Sequence, residues 1–326
     1  MAAPSRVLPG SSRGVYLRLS LTSACDLRCA YCRPAGGRAA GARERGSPDN
    51  HELLGLVAAI AAALPVRKVR LTGGEPLLRR DVVGLVAGLR RLLPAATLAM
   101  TTNGQRLAGL AAPLREAGLD ALNVSLDALD EESFARLSSA GRLGATVEGI
   151  DAARAAGYDR LKINTVLLRT INGERLGDLV RFAVARGAEI RFIELMPIGA
   201  GAPLYADEYL SSHEALERLR GEARYLGPLG LSGTARRHGF EIGGRRAVVG
   251  FISPVSHPFC DGCDRLRIDA RGRLVGCLRD DGGFDLLGAL RAGRTDRITA
   301  RVRDMMAGKG REATGWPART MYGIGG

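Results

Sequence analysis

Between residues 14 and 195, short apolar runs rich in β-branched residues alternate with longer stretches whose apolar positions recur at helical spacing. The short runs predict strands at 16–21, 66–72, 97–101, 121–125, 161–167 and 189–194. The longer stretches predict helices at 53–63, 81–93, 107–116, 131–138, 145–156 and 176–186. Strand and helix taken in turn imply a parallel sheet with right-handed crossovers, open or closed into a barrel. Polar and glycine-rich residues gather where strands end, at Gly73-Gly74-Glu75-Pro76, Thr101-Thr102-Asn103-Gly104, Ser125-Leu126-Asp127 and Glu194-Leu195-Met196-Pro197. One such cluster is an ordinary turn, but several on one rim of a parallel barrel point to a single site. After Gly199 the pattern changes to a helix at 212–220, a loop at 226–234 and a hairpin of 236–242 and 245–251 about Gly243-Gly244. Helices at 286–292 and 296–307 follow, and the end of the chain, Tyr322-Gly323-Ile324-Gly325-Gly326, carries no pattern and reads as a mobile tail. The chain thus divides into an N-terminal segment 1–13, an α/β region 14–200 and a C-terminal region 201–326.

Composition narrows this little. A chain of 326 residues is long enough for one large α/β domain or two smaller ones. No run approaches the roughly 20 apolar residues of a membrane span, and residues 1–14 lack the apolar core of an export signal. The net charge of +13 is carried mainly by arginine, which outnumbers lysine 44 to 3. No lysine-rich run or interleaved aromatic stripe marks a nucleic-acid face, so a solvated basic surface or an anionic small substrate accounts for the charge. Against that arginine bias, Lys68 and Lys162 fall in predicted strands, where a compact ammonium acts as a point charge that a guanidinium fork does not replace.

All six cysteines form two triplets more than 200 residues apart: Cys25, Cys29 and Cys32 (C-x3-C-x2-C), then Cys260, Cys263 and Cys277 (C-x2-C-x13-C). Metal spacing in a chain without an export signal argues for a reducing cytoplasm rather than for disulfides. Three thiolates fall one short of a closed zinc site or a fully capped four-iron cluster, leaving a coordination position for a small molecule. Near the first triplet Asp26 is the one further zinc ligand in the interval. At the second, His257 completes a Cys3His set at zinc spacing, and zinc and iron-sulfur readings both stand.

The C-x3-C-x2-C loop with Tyr31 before its last cysteine, together with Gly73-Gly74-Glu75-Pro76 after the second strand, resembles the radical S-adenosylmethionine superfamily. Asn123-Val124-Ser125-Leu126-Asp127, Lys162 to Val166, Arg191 to Pro197, and Phe251 through Arg267 make it similar, from about Gly14 to the last residue, to the GTP 3′,8-cyclase (MoaA) family within that superfamily. The resemblance implies an incomplete (βα)6 TIM-like barrel with a C-terminal extension that carries a second cluster. It implies two [4Fe-4S] clusters, on Cys25, Cys29 and Cys32 and on Cys260, Cys263 and Cys277, with His257 a packing or loop residue. Tyr31, Gly74, Ser125 and Met196 would contact S-adenosylmethionine, the GGEP backbone approaching its amino group. Arg18, Lys68, Arg70, Thr101, Lys162, Arg191, Arg265 and Arg267 would bind GTP, with Arg265 and Arg267 also counted, beside Cys25, Cys29 and Cys32, among the catalytic groups. Asp264 departs from the asparagine usual in the family, which touches the fine geometry of the second cluster's loop.

The implied reaction starts with reductive cleavage of S-adenosylmethionine. Loss of hydrogen from C3′ of GTP and attack on C8 then give (8S)-3′,8-cyclo-7,8-dihydroguanosine 5′-triphosphate, the first step of molybdenum cofactor biosynthesis. A cellular one-electron reductant, transfer of product to cyclic pyranopterin monophosphate synthase, a homodimer and a Gly325-Gly326 tail reaching into the cavity belong to the same expectation, with no nucleic acid and no membrane. Two alternatives stand beside it. One is a radical enzyme with an auxiliary cluster that modifies a peptide, although such enzymes use more cysteines in a larger C-terminal module. The other is a basic zinc protein that binds nucleic acid, which would be colourless and free of sulfide.

Overall fold

A computed structural model describes residues 14–33, 46–280, 282–310, 315–317, 321 and 324. The expectation for the Gly325-Gly326 tail lies outside the described residues. Six strand-helix units come first: β1 (Val15–Ser20), α1 (Asn50–Ala63), β2 (Val66–Thr72), α2 (Val82–Leu92), β3 (Thr97–Thr102), α3 (Ala111–Glu116), β4 (Ala121–Ser125), α4 (Glu131–Ser138), α5 (Leu143–Ala155), β5 (Leu161–Leu167), α6 (Leu176–Ala185) and β6 (Glu189–Glu194). These strands pair in parallel in sequence order. The result is the parallel sheet expected from the alternation, in the incomplete (βα)6 form that the resemblance implies.

The C-terminal region adds α7 (Tyr205–Glu208), α8 (Ser212–Glu222), β7 (Arg224–Ser232), β8 (Ala235–Ile242), β9 (Arg245–Ile252), β10 (Arg265–Ile268), β11 (Arg273–Val275), β12 (Phe284–Asp285), α9 (Leu286–Arg291) and α10 (Thr295–Ala307). It extends the sheet at both edges. β9 lies parallel beside β6 and leads out to β8 and β7, while β10 lies parallel beside β1 and leads out to β11 and β12. Register matters here: Tyr16 is paired with Arg265 and Lys68, and Arg18 with Arg267 and Arg70.

The strands alternate in character because their two faces meet different surroundings. In β5, Leu161, Ile163, Thr165 and Leu167 are buried toward the helices, while Lys162, Asn164 and Val166 are only half-buried on the other face. Leu17, Leu19, Val69, Leu98, Leu122, Val124, Ile163 and Phe192 form the continuous core between sheet and helices. A parallel sheet with packed layers on both faces is apolar throughout. Polar residues on the inner face therefore mark a cavity.

Two expectations are corrected. Of the loop expected at 226–234 only Gly233 and Thr234 form a turn: 226–232 belong to β7, which pairs antiparallel with β8, with register shifts at Tyr225/Gly227 and Pro228/Gly230. Pro228 and the glycines read as turn residues, but an edge strand tolerates proline, and Gly227 and Gly230 take the positive φ that the irregular register requires. The helix expected over 107–116 begins only at Ala111, because Leu107 and Leu110 form tight three-residue turns onto Gly104 and Leu107.

Candidate functional site: a cysteine loop beside a basic cavity

The first triplet lies on the loop after β1, bound to the loop after β2 by backbone. Gly74 N donates to Thr22 O at 2.6 Å and Glu75 N to Ala24 O at 2.8 Å. A Cβ on Gly74 would lie 2.1 Å from Ala24 O, so the glycine is required for this contact between loops. The resemblance assigns the GGEP backbone's closeness to a ligand; in the folded chain Gly74 also meets the cysteine loop closely. Glu75 is buried and takes hydrogen bonds from Asn103 N (2.8 Å), Leu77 N (2.9 Å) and Thr102 Oγ1 (2.8 Å). Asn103 Nδ2 in turn holds Asp26 at 2.7 Å. The loop closes on itself through Cys32 N and Arg33 N, both donating to Cys29 O. Tyr31 donates to Asp127 Oδ2 at 2.7 Å, and Asp127 Oδ1 accepts from Val166 N. The second triplet is joined by Cys263 N donating to Cys260 O, and by Arg279 N approaching Cys277 Sγ at 3.4 Å.

Burial pushes the Cys25 thiol up to about 12, the Cys29 thiol well above its ordinary value and the Cys32 thiol to about 11; nearby Asp127, Glu75 and the other sulfurs add to the rise. Such thiols ionise only against a strong local cation, which iron supplies. Among the described residues no three His, Cys, Asp or Glu side chains converge on a single metal ion. Cys25, Cys29 and Cys32 share one short loop, the arrangement a cuboidal cluster needs. His257 is exposed and off the cavity wall that Cys260, Cys263 and Cys277 line.

Inside the barrel lies a cavity of about 1030 Å³. Its wall contains Arg18, Lys68, Arg70, Thr101, Lys162, Arg191, Arg265 and Arg267, together with Met196 and all three cysteines of the second triplet. Tyr31, Gly74, Ser125 and the first triplet are not on that wall; they stand at the adjoining C-terminal ends of the strands. Among the described residues, twelve basic side chains on the wall face three acidic ones, Asp264, Asp280 and Asp304. Burial lowers Lys68 to about 8 and Arg18 to about 10, depresses Arg267 and lowers Lys162. Crowded cations of this kind are stabilised by an arriving anion.

Several residues here escape the sequence pattern. Tyr16 takes a hydrogen bond from Arg70 Nε at 2.6 Å, with Lys68 4.9 Å and Arg265 5.8 Å from its ring centre. Burial opposes its phenolate, yet Arg70, Arg18, Lys68 and Arg265 together outweigh that and draw its pKa down to about 6. Glu189 holds Arg191 at 2.6 Å and Lys162 at 3.4 Å. The readable signal is the recurrence of polar residues two apart on successive strands, as in Tyr16/Arg18, Lys68/Arg70, Lys162/Asn164 and Arg265/Arg267. Asp264 ion-pairs with Arg67, and its carbonyl accepts from Tyr16 N at 2.9 Å, so it ties the second triplet's loop to β1 and β2.

A parallel partial barrel with a three-cysteine loop after its first strand defines the class: the Radical SAM superfamily model matches residues 19–183. The cofactors of that class are a [4Fe-4S] cluster and S-adenosylmethionine. The Molybdenum Cofactor Synthesis C model matches residues 188–314. A GTP 3′,8-cyclase of Ectopseudomonas mendocina is 41% identical over 91% of this chain and 90% of its own length. One from Paenarthrobacter nicotinovorans is 41% identical over 89% and 84%. The chain belongs to the GTP 3′,8-cyclase family. The solved structure of Streptococcus suis SuiB bound to precursor peptide SuiA gives a TM-score of 0.62 at 16% identity, over 85% of this chain and 64% of that one, which is a likeness of fold alone. Among the described residues no helix is long and apolar enough to cross a membrane.

Proposed function

We infer that this chain converts GTP to (8S)-3′,8-cyclo-7,8-dihydroguanosine 5′-triphosphate, the first step of molybdenum cofactor biosynthesis. The observation that carries the reading is the single cavity that presents five arginines and two lysines (Arg18, Lys68, Arg70, Lys162, Arg191, Arg265 and Arg267) together with the second cysteine triplet. A triphosphate suits such a wall because guanidinium forks bind its oxygens bidentately. Cys25, Cys29 and Cys32 would hold the first cluster, with Tyr31, Gly74, Ser125 and Met196 about S-adenosylmethionine. Cys260, Cys263 and Cys277 would hold a second [4Fe-4S] cluster, which would supply a binding site for the purine.

When bound, the first cluster and S-adenosylmethionine supply a 5′-deoxyadenosyl radical. The chain's own contribution is position and protection. Arg70, fixed by Thr101 Oγ1 at 2.9 Å and Met100 O at 3.2 Å, offers a preset charge to the triphosphate. Arg265 and Arg267, on β10 just after Cys263, would bind the nucleotide beside the second triplet. Anchoring the nucleotide at both ends holds C3′ near C8, and the enclosed wall keeps water from the carbon radical. Closing the reaction takes one electron and one proton.

The same reading calls for a cellular one-electron reductant and for cyclic pyranopterin monophosphate synthase to take the product. It places the chain in the cytoplasm as a homodimer, which sedimentation would check. The central test is anaerobic incubation of the reconstituted chain with reductant, S-adenosylmethionine and GTP, read by mass spectrometry. The cyclised nucleotide is expected; recovery of unchanged GTP alongside 5′-deoxyadenosine would overturn the substrate assignment.

A further inference from the structure

Asn123 stands on β4 in register with Thr101 on β3 and Lys162 on β5, two residues before Ser125. It is only 6% exposed and lines the cavity. Its Nδ2 donates to Asn164 Oδ1 at 3.3 Å, while its own Oδ1 is buried with no hydrogen-bond partner. A buried acceptor without a donor is destabilising, and native interiors rarely leave one. At a cavity wall, the missing partner belongs to a ligand.

The chemistry of the nucleotide narrows what that partner is. Phosphate oxygens only accept, so they cannot satisfy Oδ1. Guanine carries N–H donors, but the second triplet, which the purine would approach, adjoins β10 and β1, whereas Asn123 is on β4, three strands farther along the sheet. S-adenosylmethionine brings donors of its own, placed about Ser125 and the first triplet; within the nucleotide the ribose hydroxyls are the donors left. Asn123 also lies where a ribose is needed: Lys162 and Thr101 flank it, and Ser125 lies one step farther along the same face toward the cysteine loop.

We propose that Asn123 Oδ1 accepts a hydrogen bond from one of the two vicinal hydroxyls of the substrate ribose, and that this contact makes the cavity prefer a ribonucleotide to its deoxy counterpart. The inference rests on the reading of the cavity as a GTP site. Asn164 is the positioning residue, since its side chain accepts from Asn123 Nδ2 and leaves the Asn123 oxygen as the unsatisfied atom.

The test is equilibrium binding of GTP, 2′-deoxyGTP and 3′-deoxyGTP to the anaerobically reconstituted full chain without S-adenosylmethionine, so that no turnover intervenes. The unmodified chain is expected to bind one of the two deoxy analogues roughly tenfold more weakly than GTP, and which one identifies the hydroxyl. Asn123→Ala should weaken GTP to the level of that analogue and abolish the preference, whereas Asn123→Asp, which keeps an acceptor, should retain it. Equal binding of all three nucleotides by the unmodified chain overturns the proposal even if the alanine variant fails to fold. A preference that survives in Asn123→Ala overturns it equally. Failure of the unmodified chain to bind GTP at all would instead overturn the assignment of the cavity.

Discussion

Around the first cysteine triplet the ionisable neighbours are mostly acids; on the wall that the second lines, bases outnumber Asp264, Asp280 and Asp304. Glu75 and Asp26 bear on Cys25, and Asp127 bears on Cys29 and Cys32, with Arg33 the nearby cation. At the second triplet, Arg267 and Lys309 interact with Cys263 and Cys277. The contrast follows from what each side must receive: a sulfonium carries positive charge and a triphosphate negative charge. The two sites also differ in how they are held. Backbone hydrogen bonds from Gly74 and Glu75 fix the first loop locally, while β10 and β11 lie between Cys263 and Cys277, so the second triplet depends on the pairing of β10 with β1.

The largest effect should come from removing one sulfur on each side. Cys29→Ala is expected to abolish cleavage of S-adenosylmethionine, by at least about 10³-fold, and to lower bound iron by roughly half. Cys263→Ala should lose a similar share of iron yet still release 5′-deoxyadenosine, now without cyclised nucleotide. Chromatography of both products separates the cases, and normal cyclisation by Cys263→Ala would erase the division of labour. Next in size is Arg70→Met. Loss of a preset cation should weaken GTP roughly 30- to 100-fold while leaving the dependence on S-adenosylmethionine within about twofold. Equal losses on both axes would show that the basic cavity and the cysteine loop act as one site.

Much of this is legible without the fold. The strands at 66–72, 121–125, 161–167 and 189–194 match the sequence pattern to the residue because apolar, β-branched runs make a strong local signal. Cysteine spacing announces both triplets, and all eight residues expected around substrate line one cavity. What escapes is tertiary. β10, β11 and β12 have four, three and two residues, too few for a period, and exist through their neighbours. Tyr16 acquires its environment from Lys68 and Arg265, distant in sequence and joined to it by register. Asn123 is visible inside a motif, but an unpartnered oxygen is a property of the packed site.

A smaller test contrasts the two loops directly. Gly74→Ala places a Cβ 2.1 Å from Ala24 O, so one loop must shift, at a cost of about 1–3 kcal/mol. The expected result is poorer retention of the first cluster's iron and a lower melting temperature. A Cβ on Gly262, between Cys260 and Cys263, would meet nothing within 4 Å beyond its chain neighbours, and the residue takes no positive φ. Gly262→Ala should therefore change neither reading. Equal behaviour of the two variants would remove the claim that the first loop is the more tightly determined.

The smallest effect concerns charge alone. The Tyr16 phenol, ordinarily at 10, lies near 6 in the folded chain, where Arg70, Arg18, Lys68 and Arg265 face it from β1, β2 and β10 and Asp264 lies nearby. A depressed acid contributes stability that is fully present above its unfolded value. That contribution declines as pH falls from about 10 toward about 6 and is gone below the lower figure. The difference in unfolding free energy between the unmodified chain and Tyr16→Phe should therefore grow between pH 6 and pH 9, by about 1 kcal/mol after solvent screening, in denaturant titrations without nucleotide. Lys68, lowered to about 8 by burial, titrates across the same window and is raised by the Tyr16 charge, so the difference reports the two groups together. The phenolate band in the ultraviolet, present at neutral pH and absent from Tyr16→Phe, reports the same ionisation independently. A flat difference with pH and no such band would mean that the cations of the cavity repel one another without a resident counter-charge, and the contrast between the two triplets would then rest on their acids alone.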